Sequence, residues 1–340
     1  MNGVTQDLRK RCLNLFSRLA LSACILLAPS CSHTPKKPSA RTDPSFSFAS
    51  PDYQKSLESA TDLLKEKGVP DSLIHRIRKH HVDGKKDWPE SAMKILELNL
   101  FGFLYHGNYL AHDSALARKK TAQFLRSHQL SFDAARKAYG VAPEAIAALL
   151  WVETKFGKDT GNFPLPWVFF SLSLASQSDF CNAMRSRLPA RLEASLLSEK
   201  PELEAADQKL RQRCRSKSEW AIGELKALAD LETTAHLRPF RIKGSFAGAF
   251  GLPQFIPTSY QKFAASSFRR KPDLFMVSDA ILSVGRFLSE NGWKNDSAEA
   301  QSTALYSYNR SRDYGTVIRN IAAGLTPRTA PSQATRAEPL

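Results

Sequence analysis

The 340-residue chain is 42% hydrophobic and 24% charged, an ordinary globular composition that excludes a wholly disordered or fibrous polypeptide. Its formal net charge of +15 points to an anionic partner: nucleic acid, a membrane surface or an acidic polymer. The first 31 residues hold only Arg9, Lys10, Arg11 and Arg18 against Asp7, so the basic excess survives their removal.

Residues 1–18 form a basic segment, and residues 19–28 an apolar run too short to span a bilayer. The run leads into Pro29-Ser30-Cys31. This resembles a bacterial lipoprotein signal, in which the cysteine becomes the lipid-modified first residue. Cys31 fits that role, although Ala28 stands where Leu is usual. Cys24 has the better local sequence but would leave Arg18 inside the apolar stretch. An ordinary cleaved signal peptide is the alternative. Beyond Cys31 only Cys181 and Cys214 remain, and two cysteines in an exported chain point to one disulfide.

Residues 32–50 are rich in Ser, Pro and Lys and read as a flexible tether. Helix is expected over 52–67, then after Gly68-Val69-Pro70 from Asp71, the expected N-cap. His75, His80 and His81 follow without acidic or cysteine companions, so surface or groove positions are expected rather than metal ligation. Residues 85–110 are dense in aromatic and apolar side chains without a clear period. Residues 114–139 return to a helical pattern, broken near Ser131.

Pro143 can open the next helix, and Gly157 can close it in a left-handed conformation. Between them Ile146, Leu149, Leu150 and Val152 make it mostly apolar. Glu153 falls in its last turn, where the negative end of the helix dipole disfavours a carboxylate. A raised carboxyl pKa suits a general acid at neutral pH. The plainer alternative is a surface ion pair with Lys155 or Lys158.

Residues 161–166 break the chain and 167–176 are apolar. Residues 181–217 carry nine basic and five acidic residues and read as an inserted helical hairpin, stapled by Cys181 and Cys214, before helix resumes at 219–233. A glycine-rich turn at 244–251 lacks the lysine and spacing of a phosphate loop. Helices are expected over 257–265, 279–291 and within 303–323, and residues 325–340 read as a disordered tail. The fold class is mainly α.

Three blocks recur in order: ETKFG at 153–157, GSFAGAFGLPQFIPTSY at 244–260 and YSYNRSRDY at 306–314. Together they resemble the membrane-bound lytic transglycosylase B family over about residues 52–323. The resemblance implies a lysozyme-like helical domain with a substrate groove and additional helical elements, spanning 51–324. It implies cleavage of the β-1,4 bond between N-acetylmuramic acid and N-acetylglucosamine, with closure of a 1,6-anhydro ring. Glu153 would act as acid and then base. Ser245, Gln254, Tyr308, Asn309 and Tyr314 match positions that line the sugar site. No cofactor is implied. The family often carries a calcium loop soon after the middle block; here Ser266–Leu274, SSFRRKPDL, lacks the required carboxylates and no metal site is expected.

The partners implied are peptidoglycan glycan strands and the outer membrane through a lipid anchor on its periplasmic face. Cell-wall synthesis or division proteins are compatible further partners. Ser32, rather than Asp, after Cys31 fits outer-membrane sorting. The basic face of 181–217 is either a contact for peptide carboxylates or a partner, or simply solvated. A wall-binding scaffold without activity and a hydrolytic lysozyme remain open. Nucleic-acid binding is not expected: an export signal is present and no nucleic-acid motif accompanies the charge.

Overall fold

One group of helices encloses a largely apolar, buried helix, and a second group packs around one long helix. The structure, a computed structural model, describes residues 51–325 apart from 105–108, 196, 198 and 269. The signal segment with Cys31, the tether and residues 326–340 of the tail lie outside the described residues. Among the described residues are thirteen α-helices and one two-stranded ribbon, so the fold is mainly α.

Helices α1 (Pro51–Glu66) and α2 (Asp71–His81) meet at a turn in which Gly68 adopts a φ of 81°. Pro70, not Asp71, is the N-cap of α2. The aromatic-rich stretch resolves into α3 (Trp88–Leu100) followed by 3-10 turns at Phe101–Leu104 and Tyr109–His112. Its period is hard to read because the helix gives way to those tighter turns within a few residues. Helices α4 (Ala115–Ser127) and α5 (Gln129–Tyr139) part at His128. The two outer histidines of the α2 end pack as aromatics. His81 stacks on Trp167 at 5.2 Å and His80 lies 5.0 Å from Phe240.

Helix α6 (Pro143–Thr154) is buried at every position from Ala145 to Thr154. Uniform burial explains why its apolar residues show no single stripe. Leu149, Leu150 and Ile146, each wholly inaccessible, contribute about 1.5–3 kcal/mol apiece to its placement. The helix is enclosed by α4, α5, α11 (Val277–Glu290) and α13 (Arg312–Ala323).

A second group comprises α7 (Leu165–Ser173), α8 (Ser178–Glu193) and α9 (Leu203–Thr234). Within 181–217 the expected helical hairpin is formed by α8 and the first part of α9, and the helix expected to resume at 219 is already running. Helix α9 is continuous through residue 217, and Ala206, Leu210, Cys214, Ser218, Ala221, Leu225 and Leu228 form one buried face. That face packs along α7. Few apolar residues suffice because their spacing of three and four keeps them on one side. Cys181 Sγ is bonded to Cys214 Sγ, joining the first turn of α8 to the middle of α9.

Several charges of this segment are engaged by partners within the protein, while most of the others stay exposed. Arg185 pairs with Asp207, Arg187 and Arg191 both reach Glu97 on α3, and Arg213 donates to the carbonyls of Asn99 and Leu100. The remaining helices are α10 (Pro257–Phe263) and α12 (Ala298–Tyr308). Strand β1 (Phe163–Pro164) pairs antiparallel with β2 (Lys243–Gly244), which pins the start of the glycine-rich block beside the segment that follows α6.

Candidate active site

The C-terminal end of α6 is where the three sequence blocks converge. The helix stops at Thr154, three residues before the expected glycine stop. Lys155, Phe156 and Gly157 follow with φ of 50°, 62° and 87°. Two consecutive non-glycine residues in the left-handed region are costly, and local contacts hold them there. Thr154 Oγ1 donates to Leu252 O at 2.9 Å and accepts from Gly157 N at 2.9 Å. The Phe156 ring stacks on Phe124 at 3.8 Å. The unwound turn therefore locks the acid-bearing helix to the 244–260 block.

Glu153 is 5% exposed, and among the described residues it forms no ion pair, so the surface pairing with Lys155 or Lys158 is absent. Its carboxyl is pushed up to about 8. Burial is the main cause. A single donor opposes the rise: Tyr314 Oη donates to Glu153 Oε1 at 2.5 Å.

Tyr314 is 1% exposed, so it supports the acid from beneath and does not line a groove. Its place is set locally. Ser311 caps α13 by accepting from Tyr314 N, which fixes Tyr314 in the first turn. Its ring packs edge-on against Tyr109 at 5.5 Å and parallel to Tyr308 at 6.3 Å.

Tyr308 ends α12, half-buried, and its hydroxyl donates to Pro253 O. Burial and the nearby Glu153 both raise its pKa well above the usual tyrosine value. Asn309 follows in an extended conformation and is 5% exposed. Its Nδ2 donates to Tyr109 Oη at 3.1 Å, while Oδ1 has no hydrogen-bond partner among the described residues. A buried, unpaired acceptor costs about 1–3 kcal/mol. Tyr109 belongs to this site and was not singled out from sequence. Its only signal was the density of aromatics before it.

Gln254 and Ser245 stand at two ends of the glycine-rich block. Gln254 adopts a φ of 53°, and its Nε2 donates to Gly251 O at 2.9 Å and Thr160 O at 3.2 Å. Its amide oxygen is what remains for a ligand. Ser245 is 8% exposed and closes its own turn, Oγ accepting from Ala249 N at 3.2 Å. Its oxygen is thus engaged within the loop, and its O–H remains available as a donor. Asp313, the one other carboxylate in the three blocks, is exposed.

A mainly helical fold with one buried acid on a tyrosine cluster is the architecture of a lysozyme-like enzyme domain. Residues 106–305 match the transglycosylase SLT domain, and the chain belongs to that family. It is similar to the membrane-bound lytic murein transglycosylase B of Escherichia coli (strain K12), 28% identical over 211 residues, 60% of this chain and 47% of the relative. The chain thus spans about half the length of the curated relative it matches. Its fold is that of the E. coli lytic transglycosylase Slt35 in complex with calcium, at a TM-score of 0.54 and 17% identity over 82% of this chain and 93% of that one. It is also that of SltB3 from Pseudomonas aeruginosa in complex with NAG-NAM-pentapeptide, at a TM-score of 0.54 and 13% identity, covering 81% of this chain and 80% of that one.

The residues here do not fit calcium. Among the described residues no group of three or more His, Cys, Asp or Glu side chains converges as a metal cluster. In the loop that follows the middle block, Arg270 places its guanidinium on the buried Asp279 carboxylate at 2.8 Å. A hard divalent cation requires six to eight oxygens and is repelled by that charge.

Proposed function

We propose that this chain is a peptidoglycan lytic transglycosylase that works with one carboxyl group, Glu153. The observation that carries the reading is a buried carboxyl held protonated at neutral pH, perturbed by tyrosine and by no second carboxylate among the described residues. Most glycosidases need a pair, either close together for a covalent intermediate or farther apart to activate water. With one carboxyl, the second group must come from the substrate.

Glu153 gives its proton to the glycosidic oxygen as the bond from that oxygen to C1 of N-acetylmuramic acid breaks. The resulting carboxylate is stabilised by the Tyr314 hydroxyl. It then takes the proton of the C6 hydroxyl as O6 bonds to C1. The 1,6-anhydro ring closes, the acid is regenerated and no water is consumed. Asn309 Oδ1 and the Gln254 amide oxygen supply acceptors for N-acetyl and hydroxyl groups, and Tyr308 supplies an aromatic face to a sugar ring. Ser245 holds the loop that carries this surface.

The substrate follows from the family and from the basic composition, which suits an acidic wall polymer. Lipidation at Cys31 and location on the periplasmic face of the outer membrane complete the reading; they rest on the leader sequence and on the membrane-bound relative. The test is digestion of purified peptidoglycan by wild type and by Glu153→Gln, with the soluble products weighed. Anhydro-muropeptides from the wild type alone support the reading. Retained binding to the wall with no products from either would make it a scaffold.

A further inference from the structure

The loop between α10 and α11 covers residues 264–276 and folds over Asp279, a carboxylate in the first turn of α11 with no exposed surface. Among the described residues, every donor to that carboxylate comes from the loop or its edge. Oδ2 accepts from Arg270 Nη2 at 2.8 Å and from Asp273 N at 2.8 Å. Oδ1 accepts from Ser266 Oγ at 3.0 Å and Ser278 Oγ at 3.3 Å. A buried carboxylate persists only when its charge is paired and its lone pairs are satisfied. Among the described residues, Arg270 supplies the single positive charge paired with it. It is itself held by Lys271 O at 3.0 Å, and its guanidinium lies 5.4 Å from the Phe268 ring centroid.

The other side of this loop presses on the candidate site. Leu252 N donates to Leu274 O at 2.9 Å, and Tyr260 Oη donates to Pro272 O at 2.5 Å. A Cβ on Gly251 would lie 2.4 Å from Leu274 Cβ, so the loop fits tightly against that glycine, whose φ is 73°. Gly251 O in turn accepts the Gln254 amide. A continuous set of contacts runs from Asp279 through Leu274 to the turn that presents Gln254.

We propose that Arg270 is a built-in cation that clamps this loop onto α11, doing with a guanidinium what a bound metal ion would otherwise do. The clamp does not depend on the chemistry assigned to Glu153.

Thermal unfolding of the full chain tests it, with wild type, Arg270→Met and Arg270→Met/Asp279→Asn each measured in EDTA and in millimolar calcium chloride. Wild type should unfold at the same temperature in both. Arg270→Met should unfold about 5 °C or more lower, because it strands a buried charge. The double variant should regain most of that loss, because asparagine keeps the shape without the charge. The proposal is overturned if calcium stabilises the wild type, if Arg270→Met unfolds with the wild type, or if the double variant is no more stable than the single one. Loss of wall cleavage in all proteins, with these unfolding shifts intact, would refute the chemistry at Glu153 and leave the clamp standing.

Discussion

Replacing Tyr314 by phenylalanine removes one oxygen atom from beneath Glu153 and leaves the rest of the cluster in place. The ring still packs against Tyr109 at 5.5 Å and Tyr308 at 6.3 Å, so the fold should hold. What is lost is the hydrogen bond to Glu153 Oε1, among the described residues the only interaction holding that carboxyl's pKa down against burial. A hydrogen bond to a charged acceptor is worth about 1.5–3 kcal/mol. At 1.36 kcal/mol per unit, the Glu153 pKa should rise by about one to two units above its value of about 8. The acid remains protonated over a wider range, but the carboxylate formed on proton transfer loses its donor. Initial rates of anhydro-muropeptide release, measured across pH, should therefore fall about 10- to 100-fold at neutral pH. The alkaline limb of the profile should move upward by the same one to two units. A limb that stays in place, or moves to lower pH, would refute the assignment of Tyr314 as the group that stabilises ionised Glu153.

Glu153→Gln should be more stable than wild type, and increasingly so as pH rises. The folded-state pKa is raised above the unfolded value, so this residue's contribution is fully present below about 4.5 and is lost as pH rises through about 8. The unfolding-temperature difference between variant and wild type, followed from pH 5 to pH 8, should widen; a constant difference would contradict a buried, protonated acid. Thr154→Val strands Leu252 O and Gly157 N, and denaturant unfolding should show a loss of about 2–3 kcal/mol. Replacing Cys181 and Cys214 by alanine opens a cross-link spanning 33 residues, and should cost about 3–4 kcal/mol on the chain-entropy account, read by the same denaturant titration.

The placement of Glu153 was legible because a proline start, an apolar run and a glycine beyond it bracket α6. The reason for its raised pKa was not, since burial depends on α4, α5, α11 and α13 closing around the helix from distant parts of the chain. Tyr314 was legible as a member of the site but not as its buried floor. Its depth follows from the capping of α13 by Ser311, which sequence order alone does not convert into distance. In residues 181–217 the stapled hairpin was legible, but charge density masked a buried stripe of small and apolar side chains on α9. Some of those charges turn inward to partners such as Glu97 and Asp207, contacts between segments that spacing cannot reveal. Tyr109 escaped notice for the same reason: its link to Asn309 joins residues two hundred positions apart.

The most direct test of the central claim is to run the cleavage in water enriched in oxygen-18 and weigh the muropeptides released at the cut. If Glu153 delivers and then recovers a proton while the substrate's own C6 hydroxyl attacks, the new muramic ends are anhydro and carry no heavy oxygen. Heavy oxygen at the new reducing ends would mean that water is the nucleophile, and the single-carboxyl account would be wrong.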